Sequence, residues 1–314
     1  MSKCIFCKSN KKITQEHVIP KWLAKKLTEG MDSDFTAEIL ASDGKKKTYS
    51  IKGLNQSSRT VCIDCNNGWM SDLEDRVQKR LGPMILDGER TDLDRDSQLW
   101  VAAWALKTAF MLHQLSQNEP IIPTAELHKF YKSYESRKKL PDGYCVWLAH
   151  RSTYQDGTGR GELIIASREQ PVGTLGVVPE LTEEFQSEML KPGRTIFRST
   201  FAFGRVVFQV FGHNVQMGIN IGIPQCLQRV VQLVWPIQSN HVDWPPPMPV
   251  EGIGGIDGLH RAFDMPGQVG KGATAENLSS TAHCTENFEN SVASSSVQAL
   301  LASHRGKVKD SMKA

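Results

Sequence analysis

The sequence predicts an α+β fold, and three observations support this. Two Cys-x-x-Cys pairs lie within the first 65 residues, helical periodicity follows between residues 69 and 139, and short β-branched or aromatic runs separated by Gly, Pro and Asn begin at Tyr144. A chain of 314 residues is long enough for two domains and a sizeable core. We therefore expect a small zinc-stabilised domain, followed by a larger α+β domain with a mostly antiparallel sheet.

Turn signals and composition set the predicted domain boundaries. Gly82-Pro83 is expected to close the last helix of the first domain, residues 1–82, and the prolines from Pro245 to Pro247 mark the end of the second, residues 83–245. The remaining residues, 246–314, are rich in Gly, Ser, Ala and Asn and contain only two aromatic side chains. Such a segment cannot bury enough apolar surface to become ordered, so we expect a disordered, low-complexity tail.

The two cysteine pairs predict a metal site in the first domain. Within each pair the cysteines are separated by two residues, the usual spacing of a tetrahedral Cys₄ zinc site, because each short loop turns both sulfurs onto one metal ion. In a reducing compartment, clustered cysteines of this kind are metal ligands rather than disulfides. We predict structural Zn²⁺ bound by Cys4, Cys7, Cys62 and Cys65.

Between the cysteine pairs, the sequence predicts a strand, a short helix and a hairpin. Thr14–Ile19 is β-prone and stops at Pro20, and a basic helix is expected from Lys21 to Leu27. Two further β-prone runs, Phe35–Ala41 and Lys46–Lys52, flank Asp43-Gly44, a dipeptide typical of hairpin turns.

A helix is predicted directly after the second cysteine pair. Trp69, Leu73, Val77 and Leu81 recur at three- to four-residue spacing, with charged residues between them. Asn66 is expected at the start of this helix, where an asparagine often serves only as the N-cap.

The second domain is expected to combine helices with a sheet. Leu99–Leu115 is mostly apolar but interrupted by Lys107 and His113, and it is shorter than a membrane span, so a buried helix over residues 97–116 is predicted. A second helix is expected from Pro123 to Lys139. The predicted strands, and one helix among them, are Tyr144–Leu148, Glu162–Ala166, helix Glu180–Leu190, Thr195–Phe203, Arg205–Phe211, Val215–Ile221 and Val230–Trp235.

Charge and composition indicate which classes of binding partner suit the protein. Residues 1–82 carry 15 Lys and Arg against 10 Asp and Glu, whereas the chain as a whole has a net charge of only +3. A mildly positive first domain suits a polyanion such as nucleic acid. The N-terminus lacks the apolar run of a signal peptide and no membrane span is predicted, so we expect a cytoplasmic protein with no membrane partner.

Cys4-x-x-Cys7, Glu16-His17-Val18-Ile19-Pro20 and Cys62-x-x-Cys65-Asn66, in this order, resemble the HNH endonuclease superfamily. The similarity is to its zinc-containing ββα-metal branch, which includes recombination endonuclease VII, and it covers about the first 80 residues. The resemblance implies a two-stranded ribbon and a helix around a catalytic divalent cation, with a separate Cys₄ zinc site that ties the loops together.

The resemblance also implies roles for individual residues. His17 matches the general base that activates water, Glu16 the acidic metal ligand before it, and Asn66 the polar ligand after the last zinc cysteine. The implied reaction is hydrolysis of a phosphodiester, with Mg²⁺ or Mn²⁺ as the catalytic metal and double-stranded DNA as the preferred target. Trp69 and Met70 occupy the positions where many members have a third ligand, so that ligand is left open. Defence against invading DNA is the setting expected by analogy.

The residues themselves are suited to this chemistry. An imidazole with an ordinary pKa near 6.5 accepts a proton at neutral pH, and oxygen ligands suit a hard cation. Because neighbours on a strand face opposite sides, Glu16 and His17 are expected to divide the work as ligand and base. The alternative is a zinc-stabilised module that binds nucleic acid or protein without catalysis. The second domain is left with three candidate roles: substrate selection, signal sensing or homo-oligomerisation.

Overall fold

The computed structural model describes residues 3–28, 35–40, 46–51, 56–115, 122–152, 162–171, 191, 194–214, 227–250, 256 and 259. Several sequence predictions lie outside these residues. They are the Asp43-Gly44 turn, the helix Glu180–Leu190, the strand Val215–Ile221 and almost all of the tail beyond residue 250.

The described chain contains both helices and strands, with most helices before Tyr144 and only strands from Tyr144 to Trp244, in keeping with the predicted α+β class. The helices are α1 (Lys21–Thr28), the single turn α2 (Ile63–Cys65), α3 (Ser71–Asp87), α4 (Arg95–His113) and α5 (Thr124–Arg137). The strands are β1 (Ile13–His17), β2 (Phe35–Leu40), β3 (Lys46–Ile51), β4 (Ser57–Cys62), β5 (Thr91–Asp94), β6 (Tyr144–His150), β7 (Glu162–Pro171), β8 (Thr195–Phe203), β9 (Val206–His213), β10 (Gln232–Trp235) and β11 (His241–Trp244). None of these helices is long and apolar enough to cross a membrane.

A two-stranded ribbon organises the N-terminal segment. Strands β1 and β4 pair antiparallel, with Ile13 opposite Cys62 and His17 opposite Ser57, and the register shifts between Thr14 and Glu16. Because β4 begins with polar residues, hydrophobic periodicity does not predict this strand. Its last two residues, Val61 and Cys62, are fully buried, and this burial holds the strand in place.

The large sheet has seven strands in the order β10-β6-β9-β8-β7-β2-β3. Every neighbouring pair is antiparallel except β2 and β7, so the prediction of a mostly antiparallel sheet is confirmed. The predicted pairing of the two runs around residue 43 is also confirmed, because β2 and β3 pair from Phe35 opposite Ile51 to Leu40 opposite Lys46. This hairpin forms one edge of the large sheet, which the sequence did not predict. A separate two-stranded sheet pairs β5 with β11.

Helix α3 continues past the point at which the sequence predicts its end. It runs through Pro83 to Asp87, and Gly88, at φ 71°, caps it by donating its N–H to the Met84 carbonyl. Pro83 costs the helix one hydrogen bond. Met84 and Ile85, however, have no exposed surface, and burying them keeps the last turn helical. The prediction that Gly82-Pro83 ends the helix is therefore wrong.

Helix α4 is the buried centre of the fold, as its apolar sequence predicts. Asp94 caps its N-terminus by accepting a hydrogen bond from the Ser97 amide at 2.8 Å. From Val101 to His113 every residue is buried. The helix packs against α3 on one side and contacts β6, β9 and β10 of the large sheet on the other.

Aromatic rings join the two predicted domains. The Phe6 and Trp69 ring centroids lie 5.2 Å apart, those of Trp69 and Phe130 5.8 Å, and those of Phe130 and Phe110 5.6 Å. The boundary between residues 82 and 83 stays a prediction, but the chain crosses it inside α3 and the core runs across it.

The beginning of the predicted tail is ordered. The amide of Val250 donates to the His150 carbonyl at 2.6 Å and that of Met248 to the Arg229 carbonyl at 2.9 Å. Val250 is 1% exposed. For residues 246–250 the prediction of disorder is wrong, because these main-chain bonds and one buried valine attach the segment to the sheet domain.

Candidate metal centre and active site

The four cysteines of the two Cys-x-x-Cys pairs converge. Their sulfur atoms all lie within 4.8 Å of one another, and those of Cys7 and Cys62 are 3.5 Å apart. Zinc–sulfur bonds of about 2.3 Å in a tetrahedron would place the sulfurs about 3.8 Å apart, so the cluster fits a tetrahedral metal. The prediction of a metal-binding Cys₄ site is supported to this extent.

Local backbone geometry explains how the sulfurs come together. Lys8 has a positive φ of 63° and donates its amide to the Cys4 carbonyl at 3.0 Å, which folds the first pair into a tight knuckle. The second pair begins where β4 ends, and the single turn α2 brings Cys65 back toward Cys62. The amide of Cys62 points at the Cys4 sulfur, 3.4 Å away.

The thiols of the cluster alter one another's pKa. Contact with Cys65 lowers the pKa of Cys4 to about 4, and contact with Cys4 raises the pKa of Cys65. One thiolate is thus stabilised by its neighbour's proton. A bound Zn²⁺ would replace these shared protons with a divalent charge, which is the usual state of clustered cysteines in a zinc site.

Glu16 points into the protein from β1. It is 6% exposed, and its Oε1 lies 3.7 Å from the ammonium of Lys107 on α4. The same ammonium donates to Oε1 of Glu74 on α3 at 2.8 Å. Burial raises the pKa of Glu16 to about 7, although the positive charge of Lys107 opposes the rise.

His17 follows Glu16 and lies partly exposed at the end of β1. Its pKa is lowered, first by burial and then by the positive charge of Lys21, while Glu74 acts in the opposite direction. A lowered pKa keeps the imidazole neutral at physiological pH, the form that can accept a proton.

Asn66 connects α2 to the ribbon. It is the first residue of a five-residue π-helical turn, Asn66–Met70, that precedes α3. Its Nδ2 donates to the Thr14 hydroxyl at 3.0 Å and toward the Gln15 carbonyl at 3.4 Å. No side-chain cap bond begins α3, so Asn66 ties the turn to β1 rather than serving as an N-cap.

Of the three predicted catalytic residues, Glu16 and His17 lie in one region of the structure and Asn66 is engaged elsewhere. Glu16 and His17 are both within electrostatic reach of Glu74, whereas the Asn66 amide is engaged at Thr14, on the other side of the irregular register in β1. Outside the Cys₄ cluster, no three His, Cys, Asp or Glu ligand atoms in the described ranges converge closely enough to suggest a metal site. Mg²⁺ commonly binds through one or two carboxylates and several waters, so a pre-formed protein cage is not required.

Sequence reasoning missed Glu74 and Lys107. Glu74 lies eight residues after Asn66, about two helical turns along, where it could have been considered for the open ligand position. Lys107 was noted as an interruption of the apolar run. A lysine inside a buried helix requires an anionic partner. That requirement could have indicated, from the sequence alone, that Lys107 pairs with an acidic residue.

Comparison of the chain with models of known protein families, with curated proteins and with solved structures finds no match. The similarity to HNH nucleases therefore stays a prediction. It rests on the motif residues, and the arrangement of those residues is what supports a function.

Proposed function

We propose that this protein is a metal-dependent endonuclease that hydrolyses phosphodiester bonds in nucleic acid, with DNA as the preferred substrate. One observation carries the proposal. At the end of a ribbon whose other end carries the Cys₄ cluster, the His17 imidazole has a lowered pKa, lies within electrostatic reach of Glu74 and directly follows the buried Glu16. Metal-assisted hydrolysis requires at least a base that activates water and anionic oxygen ligands that bind the metal ion.

His17 is the proton acceptor in this proposal. Its position at the end of β1 and its partial exposure make the ring accessible to a water molecule from solvent. The neutral ring takes a proton from that water as it attacks phosphorus. Lys21, whose charge lowers the His17 pKa, also places a positive charge close to the position of a phosphate.

Glu16, Glu74 and Asn66 are the candidate holders of the divalent cation. Each glutamate meets Lys107 through Oε1, and a carboxylate has a second oxygen with which to bind a cation. Reorientation of the Asn66 amide would offer its oxygen. Bound Mg²⁺ or Mn²⁺ would supply positive charge for the phosphoryl and leaving oxygens.

One observation favours a second candidate, a zinc-stabilised binding module without catalysis. Lys107 already compensates the charge of Glu16 and Glu74, so both glutamates can be explained as partners of a buried lysine. In that case the ribbon would present a surface to nucleic acid or protein, and His17 would have no chemical duty.

Plasmid cleavage separates the two candidates. We expect the purified protein to nick or linearise supercoiled DNA with Mg²⁺ or Mn²⁺, and His17→Ala to lower the rate by about 10²- to 10⁴-fold, the usual contribution of a general base. His241→Ala is the matched control, because that histidine is exposed on β11 and paired with Asp92. Zinc content is measured in all three proteins.

Cleavage by His17→Ala at the wild-type rate would contradict the assignment of the base. If zinc-replete wild type cuts neither plasmid nor single-stranded DNA nor RNA, the endonuclease proposal is wrong and the binding module stands. Cleavage of RNA alone would keep the chemistry and change the substrate.

A further inference from the structure

Lys107 is a buried charge in the most apolar helix of the protein. The lysine side chain is 0% exposed, and Trp104, Leu106 and Phe110 around it on α4 are also fully buried. An unpaired ammonium in such surroundings would be strongly destabilising. Its compensation comes from two glutamates on other elements, Glu16 on β1 and Glu74 on α3.

The side chains of the three charged residues are buried to different extents. The exposed fraction of the side chain rises from 0% for Lys107 to 7% for Glu16 and 21% for Glu74. Lys107 is thus the most deeply buried of the three groups, and Glu74 is the one most exposed to solvent. A cation arriving from solvent would therefore reach Glu74 before Glu16 and Lys107.

Lys107 is carried by a buried helix that packs on two sides. Every residue of α4 from Val101 to His113 is buried, and α4 packs against both α3 and the large sheet. A charge fixed on such a helix restricts the carboxylates that it binds, because Glu16 and Glu74 otherwise belong to separate elements. The bond to Glu74, at 2.8 Å, is the shorter of the two contacts.

We propose that Lys107 is a positioning residue of the candidate nuclease site: it holds Glu16 and Glu74 from the core side, so that the pair presents a fixed set of oxygens to a divalent cation. The inference rests on the proposed function and deepens it. It implies that the site is incomplete without residues beyond 82, since α4 supplies the group that orders two residues of the first segment.

The test compares Lys107→Met, Lys107→Arg and wild type in the full-length protein. The readouts are the rate of plasmid cleavage against Mn²⁺ concentration and the electron paramagnetic resonance spectrum of bound Mn²⁺. We expect Lys107→Met to raise the Mn²⁺ concentration for half-maximal cleavage by about 10- to 100-fold, the usual effect of removing a group that orients metal ligands. Lys107→Arg should recover part of the loss, because it retains the charge with a different shape.

Leu106→Ala is the matched control for stability. Leu106 neighbours Lys107 on α4 and is fully buried, but it is apolar and forms no ion pair with either glutamate. We expect it to lower the thermal unfolding temperature without changing the Mn²⁺ dependence of cleavage. Zinc content and circular dichroism establish that each variant is folded.

Three results overturn the inference. One is an unchanged Mn²⁺ dependence in folded Lys107→Met. Another is a lower half-saturating concentration in that variant, which would mean that Lys107 only competes with the metal for the carboxylates. The third is a parallel shift in Leu106→Ala. If Lys107→Met does not fold, Lys107→Gln takes its place, and an unchanged Mn²⁺ dependence in folded Lys107→Gln overturns the inference in the same way. A wild type that never cleaves refutes the proposed function, which is a distinct result.

Discussion

Glu16 shows how burial and neighbouring charges together set the pKa of one residue. Burial alone would strongly favour the neutral acid, and the Lys107 ammonium at 3.7 Å partly restores the charged form, leaving a pKa of about 7. A divalent cation would favour the charged form further. Strand periodicity predicted that Glu16 and His17 face different environments, and the structure places one inside and the other at the surface.

A substitution at Glu74 tests the carboxylate pair at the residue scale. We expect Glu74→Gln to reduce Mn²⁺-dependent cleavage by about 10- to 100-fold, because it removes one charge of the pair and loosens the hold of Lys107 on the other. Asp75→Asn is the matched control, since Asp75 is the exposed neighbour on the same helix. Initial rates on supercoiled plasmid provide the measurement, and equal rates for Glu74→Gln and wild type would remove Glu74 from the site.

At the scale of elements, the Cys₄ cluster joins the knuckle of residues 4–7 to the end of β4. The ribbon and the turn that leads to α3 meet at this cluster, where Asn66 adds a hydrogen bond to Thr14. The knuckle is also tied to α5, because His128 Nδ1 lies 2.5 Å from the Phe6 carbonyl. The geometry of His17 therefore depends on contacts made at the opposite end of its strand.

Substitution of one cysteine tests whether the cluster holds zinc and stabilises the elements joined to it. We expect Cys62→Ser to lose the bound zinc and lower the thermal unfolding temperature, because three sulfurs would remain and a structural zinc site contributes directly to folding free energy. Cys145→Ser is the control, since that cysteine lies on β6 outside the cluster. Zinc is quantified by atomic absorption and unfolding by calorimetry. A variant with wild-type zinc and stability would show that the cluster does not hold the metal.

The elements also show where sequence rules failed. Proline normally ends a helix, yet α3 passes through Pro83 because Met84 and Ile85 are needed in the core. Strand β4 gave no periodic signal, because its first four residues are polar and its only apolar residues, Val61 and Cys62, are adjacent at its end. In each case, tertiary packing outweighed a local preference.

At the scale of the whole molecule, the N-terminal segment depends on the rest of the chain. Phe6 and Trp69 pack on Phe130, Lys8 donates to the Thr124 carbonyl at 2.9 Å, and β2 pairs with β7 of the large sheet. The seven-stranded sheet thus contains strands from both predicted domains. Homo-oligomerisation, a cytoplasmic location and a role in defence stay predictions.

A fragment of residues 1–82 tests whether the first predicted domain is autonomous. We expect it to bind zinc weakly and to show no cooperative unfolding, because it lacks the aromatic partners on α5 and ends inside α3. Proton–nitrogen NMR spectra and thermal unfolding of the fragment are compared with those of the full chain. Dispersed resonances and a sharp transition in the fragment would show that the domain folds alone.

Features that depend on local spacing could be predicted from the amino-acid sequence. Two residues between cysteines bring two sulfurs to one metal, a three- to four-residue period makes α3 amphipathic, and β-branched runs between turn residues make strands. The contacts between distant groups became visible only in the folded protein. The Lys107–Glu74 bond joins residues 33 positions apart, and the β2–β7 pairing joins strands from the two predicted domains. A buried charge requires an opposite charge, and an unpaired sheet edge requires another strand. Either partner can come from a distant part of the chain, so no local sequence pattern predicts it.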